Sequence, residues 1–144
     1  MSIDGQYDPG NIFARVIRGE TPAARIFEND DTLAFMDAFP QARGHCLVVH
    51  KTAQARNLLD ISTADLCAVM QTVQRVARAA REALSADGIV VTQFNGAPAG
   101  QTVYHLHVHI IPRWQGVALG QHGRAMADPE ELTQLARLIA AKIA

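Results

Sequence analysis

Cysteine is scarce in this chain: Cys46 and Cys67 are the only two in 144 residues. Each sits in an apolar segment, and their placement fits no disulfide framework, zinc knuckle or redox pair. Both read as reduced core residues. An excess of one charge is also missing, with thirteen Lys and Arg against fourteen Asp and Glu. That balance excludes a nucleic-acid binder driven by a basic surface, but not a nucleotide-sized anion held by local donors. Apolar runs long enough to span a membrane are absent. The opening MSIDGQYDPG is acidic and polar, unlike a signal peptide. Internal repeats and low-complexity tracts are missing too. The expectation is one soluble cytoplasmic domain over residues 1–144, with no membrane or nucleic-acid partner. Half the residues are hydrophobic, enough for a core at this length.

The hydrophobic pattern predicts an α+β fold. Asp8-Pro9 opens a short N-terminal helix running to about Arg18, with Gly19 as its stop. RIFEND and TLAFMD read as strands across a turn at Asn29-Asp30-Asp31. A third strand covers His45 to Val49. Ser62 to Ala86 is a long helix, with Ser62 and Asp65 at capping-box spacing and Leu66, Met70, Val73, Ala77, Ala80 and Leu84 as its apolar stripe. IVVTQF and VYHLHVHII are the fourth and fifth strands, joined by the loop NGAPAGQT. Pro129 starts a C-terminal helix that buries Leu132, Leu135, Ala136, Ile139 and Ile143. Tight connections between consecutive strands favour an antiparallel sheet.

Three of the six histidines alternate within HLHVHIIPR, at His105, His107 and His109. On a strand they would share one face, roughly 7 Å apart stepwise. Accidental surface or core placement explains a lone His better than three in strict alternation. A metal site needs a further ligand, and the sequence offers no obvious acidic partner. Phosphoryl or nucleotidyl chemistry uses one imidazole as nucleophile and another as donor. The preceding loop favours this last reading. Gly96 and Gly100 permit close backbone approach, and Asn95, Gln101 and Thr102 offer neutral donors. Like charges also keep close imidazoles from all being protonated, so at least one stays neutral near pH 7.

HLHVHII at 105–111 matches the alternating His and apolar hallmark of the histidine triad (HIT) superfamily throughout. NIFARVIRGETPAARIFENDDTLAFMDAFPQARGHCLVV resembles the N-terminal half of its Hint branch, and NGAPAGQTVYHLHVHIIPR its active-site half. The resemblance covers about residues 9 to 113 and leaves a variable segment from 114 to 144. It implies a five-stranded antiparallel sheet with one long central helix, a short N-terminal helix and a C-terminal helix, assembled as a homodimer. It also implies metal-independent chemistry, with no cofactor, at the α-phosphate of a purine nucleotide carrying an AMP or GMP moiety.

By position, the resemblance makes His107 the nucleophile, His109 a donor to a phosphate oxygen, His105 their support and His45 the family's fourth histidine. Asn95, Gln101 and Thr102 match positions contacting phosphate or leaving group. Asp37 matches the ribose-hydroxyl acceptor, a role a carboxylate suits. Ile12, Phe13, Val16, Phe35 and Ala38 match the base pocket. Many relatives hold a structural zinc with Cys-x-x-Cys and a later His. Here Asn11, Ala14 and Ala53 take those positions, so no metal is expected. The implied activity is nucleoside phosphoramidase-like hydrolysis. The alternatives are Fhit-like cleavage of dinucleoside polyphosphates and nucleotide binding without turnover. His50 receives no role; His122 and Trp114 stay open.

Overall fold

The computed structural model describes residues 3–120 and 125–144. Its centre is a five-stranded antiparallel sheet in the order β1-β2-β3-β5-β4. The strands are β1 (Arg25–Glu28), β2 (Thr32–Met36), β3 (Cys46–His50), β4 (Gly88–Thr92) and β5 (His107–Arg113). Helices α1 (Ile12–Ile17), α2 (Thr63–Leu84) and α3 (Pro129–Ala140) complete the fold. The expected α+β architecture is the one observed.

The sheet's two faces are covered unequally. Ala34, Met36, Cys46, Val48, Val108 and Ile110 form a core with Val69, Val73, Val76 and Ala80 of α2 and with Leu132, Leu135 and Ile139 of α3. On the opposite face, Leu33, Phe35, Leu47 and Val49 pack against Val16, with Phe13 and Ile17 of the short α1 alongside. A six-residue helix cannot cover five strands. That face is therefore where a cleft can exist, and period-two alternation sends His107 and His109 to it, away from Val108 and Ile110.

Several boundaries differ from expectation, each for a local reason. Helix α1 starts later, because Asn11 rather than Asp8 caps it: the Asn11 side chain accepts from the Ala14 N–H at 2.9 Å. Strand β5 starts at His107 instead of Val103. Its partner β3 ends at His50, one residue past the Val49–His107 pair, and the Leu106 N–H turns to the Ala55 carbonyl instead. The buried stripe of α2 is rotated from the expected one. Val69, Thr72, Val76 and Ala79 are buried, while Met70 is 41 % exposed. Thr72 belongs inside because its hydroxyl meets that of buried Thr32 at 2.7 Å. Cys67 lies on the exposed side of α2, so only Cys46 is a core cysteine.

One glycine matters for the site. Gly44 has φ +86°, and a Cβ there would lie 2.3 Å from Leu84 Cδ1. The turn into β3 is thus closed to any side chain, and it delivers His45 at the strand's threshold.

Candidate active site

Four histidines and one aspartate converge around β5, and all are buried. His107 and His109 reach the surface narrowly, at 8 % and 6 % exposure. Their ring centroids are 5.0 Å apart, closer than the residue spacing along an ideal strand suggests.

Hydrogen-bond partners decide each ring's tautomer. His107 Nδ1 lies 2.7 Å from the His105 carbonyl oxygen. A carbonyl only accepts, so Nδ1 carries the proton and neutral His107 has a basic Nε2. His45 Nδ1 accepts from the Gln41 backbone N–H at 3.0 Å, so the proton of neutral His45 is on Nε2. That Nε2 lies 2.9 Å from His109 Nδ1 and 3.4 Å from Asp37 Oδ2. His109 Nδ1 is therefore an acceptor, and its Nε2 carries N–H. The adjacent rings thus present opposite chemistry: a lone pair on His107 and a donor on His109.

His105 lies outside the strand and serves differently. Its Nε2 donates to the His50 carbonyl at 3.0 Å, and its Nδ1 lies 2.6 Å from the Tyr7 hydroxyl. Burial, its largest influence, pushes its pKa down to about 4. It is neutral near pH 7, with both ring nitrogens engaged.

The other expected contacts divide. Phe13 stands edge-on to His107 at 4.8 Å and packs on Phe35. Val16 and Phe35 belong to the core beneath, whereas Ile12 and Ala38 are exposed. Asp37 is 5 % exposed. It accepts from the Phe39 N–H at 2.8 Å and faces His45.

The loop after β4 departs most from expectation. Gln101 uses its carboxamide inside the loop, accepting from Gly96 N–H and donating to the Arg56 and Val103 carbonyls. Asn95 Oδ1 accepts from the Leu58 N–H at 2.9 Å. The amides of Ala99, Gly100 and Gln101 bond back to Gly96 and Ala97. These groups shape the loop. Gly100 (φ +106°) closes its short 3-10 turn at Ala97–Ala99, and Thr102 is exposed at its end.

Three residues escaped sequence reasoning. Phe94 stands 5.4 Å from the His109 ring; its one signal was its place beside the Gly-rich loop. Tyr7 reaches His105 across 98 positions, which no local pattern reveals. His50 is buried, its Nδ1 accepting from the Thr52 and Ala53 amides. Trp114 packs against the α2–α3 core and donates to the Leu84 carbonyl. His122 falls outside the described residues.

Asp37, His45 and His109 offer ligand atoms within 4.8 Å of one another and could hold a metal ion.

Comparison with known proteins bears on the family and the fold. A family profile described as HIT domain matches residues 18–116. A Hit-like protein involved in cell-cycle regulation from Bartonella henselae, solved with an unknown ligand, is 48 % identical. That match covers 96 % of this chain and 100 % of its own, with a TM-score of 0.92. A Zn-bound histidine triad family protein from Mycobacterium smegmatis is 36 % identical, covers 92 % of each chain and has a TM-score of 0.81. The adenylylsulfatase HINT3 of Arabidopsis thaliana is 32 % identical over 117 residues, which is 77 % of this chain and 59 % of that protein.

Proposed function

The chain belongs to the HIT domain family, and from that premise we propose that it hydrolyses purine nucleotide adducts of the phosphoramidate class at the α-phosphorus. One observation carries the proposal: two adjacent imidazoles, 5.0 Å apart, whose partners leave one Nε2 basic and the other protonated. Nucleophilic displacement at phosphorus needs that pairing.

In this reading, His107 Nε2 attacks phosphorus. A bond from phosphorus to Nε2 forms as the bond to the leaving nitrogen breaks, and that nitrogen takes a proton from water and departs as the neutral amine. His109 Nε2–H donates to a non-bridging oxygen as charge builds there. Water then cleaves the nucleotidyl-His107 and releases the nucleoside monophosphate. Phe13 provides an aromatic edge for the base, and Asp37 takes the ribose hydroxyls while bracing His45. Tautomers set by hydrogen bonds suffice for each step, with no metal or cofactor. The adenylylsulfatase activity in the name of HINT3 supports chemistry at an adenylyl α-phosphate in this family.

A leaving group rich in phosphate, as in dinucleoside polyphosphates, is less well served. Residues 88–102, from β4 through the loop, carry no charged side chain. We further propose a cytoplasmic homodimer with no nucleic-acid or membrane partner.

The test is His107→Ala assayed on adenosine phosphoramidate, with trapping of the covalent adduct in the parent protein. Turnover is expected to fall by several orders of magnitude, since the nucleophile is removed. Unchanged turnover removes His107 from the mechanism. Nucleotide binding without turnover on any adduct would instead support a binding module.

A further inference from the structure

The Mycobacterium smegmatis relative is Zn-bound, and the resemblance noted from the sequence implies a zinc held in relatives by residues at positions 11, 14 and 53. The present chain places Asn11, Ala14 and Ala53 at the usual ligand positions. Ala14 and Ala53 line one cavity of about 180 Å³, together with Tyr7 and His105. Neither alanine has a ligand atom. Asn11 spends its carboxamide on the α1 cap and on the Asp8 carbonyl. One imidazole, His105, is left on that wall, and its Nδ1 faces the Tyr7 hydroxyl at 2.6 Å. The residues present do not fit a metal.

We propose that Tyr7 is a positioning residue that anchors the triad through His105. The segment carrying Tyr7 is tied at both ends. The Ile3 carbonyl accepts from Arg56 Nη1 and Asn57 Nδ2, and the Asp8 carbonyl accepts from the amide and side chain of Asn11. Between these ties, the phenol donates to His105 Nδ1. The His105 Nε2–H is already given to His50, so the ring is held at both nitrogens and neither turns nor changes tautomer. The carbonyl of the same residue accepts the His107 Nδ1–H. Tyr7 thereby stands one residue behind the nucleophile without touching substrate. The small side chains at 14 and 53 leave open the cavity beside this contact.

The kinetic part of this inference rests on His107 being the nucleophile; the structural part does not. Tyr7→Phe keeps the ring and removes the donor. In nitrogen-15 NMR of histidine-labelled protein, with His105 assigned from a His105→Gln sample, the parent is expected to show one Nε2–H tautomer at His105. The Nδ1 signal should shift in Tyr7→Phe while His45 is unmoved. On adenosine phosphoramidate, kcat should fall about tenfold, the scale of one lost hydrogen bond to a buried group, with KM within twofold. Protein grown with added zinc should hold none that depends on His105. An unchanged His105 signal in Tyr7→Phe overturns the inference. So does a lowered melting temperature with kcat intact, which would make Tyr7 a packing residue. One zinc per chain that is lost in His105→Gln overturns it as well. If no adduct is turned over by the parent, the proposed activity fails, while the NMR and zinc measurements still decide the role of Tyr7.

Discussion

His107 and His109 are the same residue type two positions apart, yet the fold gives them opposite Nε2 chemistry. One Nδ1 meets a carbonyl and the other meets the N–H of His45. Replacing His45 by Phe removes that N–H and frees His109 to place its own proton on Nδ1, which strips the donor from Nε2. We expect kcat to fall about 10–100-fold, the usual cost of losing a partner that orients a reacting ligand, with nucleotide affinity nearly unchanged by calorimetry. A loss as deep as that of His107→Ala would mean His45 takes part directly. His105 predicts a pH effect. Its folded pKa of about 4 lies below the ordinary 6.5, so the unfolded chain binds the extra proton between those values. Stability from this group is full above about pH 6.5 and is lost as pH falls toward 4, by on the order of 3 kcal/mol. Urea unfolding at pH 7.5 and 4.5 should show a larger drop for the parent than for His105→Gln; equal drops would refute the assignment.

At the scale of elements, α1 is the part whose small size has the largest consequence. Its six residues are too few to be helical on their own, so the Asn11 cap and the packing of Val16 hold it. Asn11→Ala should cost about 1 kcal/mol and raise KM several-fold, because α1 carries the Phe13 edge that faces His107. Thermal melts and substrate titration check the two effects, and a stability loss without any change in KM would detach Phe13 from the base site. Elements of this kind were legible in the sequence to the extent that their signals were local. Ser62 caps α2 as its spacing predicts and Pro129 opens α3, and strand alternation correctly put His107 and His109 together. The start of β5 was not legible, since it depends on where β3 stops and on the Ala55 carbonyl. The α2 stripe was legible in part: Val73, Ala80 and Leu84 are buried as expected and Met70 is not, and the buried Thr72 depends on a threonine pair formed across 40 positions. Composition reports that Asn95 and Gln101 exist but not their partners: the Gln101 amide donates to the Arg56 and Val103 carbonyls, and Asn95 Oδ1 accepts from the Leu58 N–H.

At the scale of the whole molecule, β4 is one of the sheet's two edges, β1 being the other: it pairs with β5 on one side and, among the described residues, with no strand on the other. Its Val90 and Val91 are 39 % and 45 % exposed. An uncharged strand edge bearing valines invites pairing with another chain. A two-fold contact between identical β4 edges satisfies both and is closed by its own symmetry, leaving β1 as the outer edge of each copy. The proposed homodimer therefore has a physical motive at β4, beyond family likeness. Light scattering at micromolar concentration should give twice the chain's 15.6 kDa. Val91→Lys puts a charge on each copy of the joined edge, where facing cations repel and lose water. It should shift the mass toward one chain while the far-UV circular dichroism stays that of the parent. A parent protein of monomer mass would remove the dimer. A dimer indifferent to Val91→Lys would move the interface off β4, to another apolar surface such as the exposed Leu58 and Leu59.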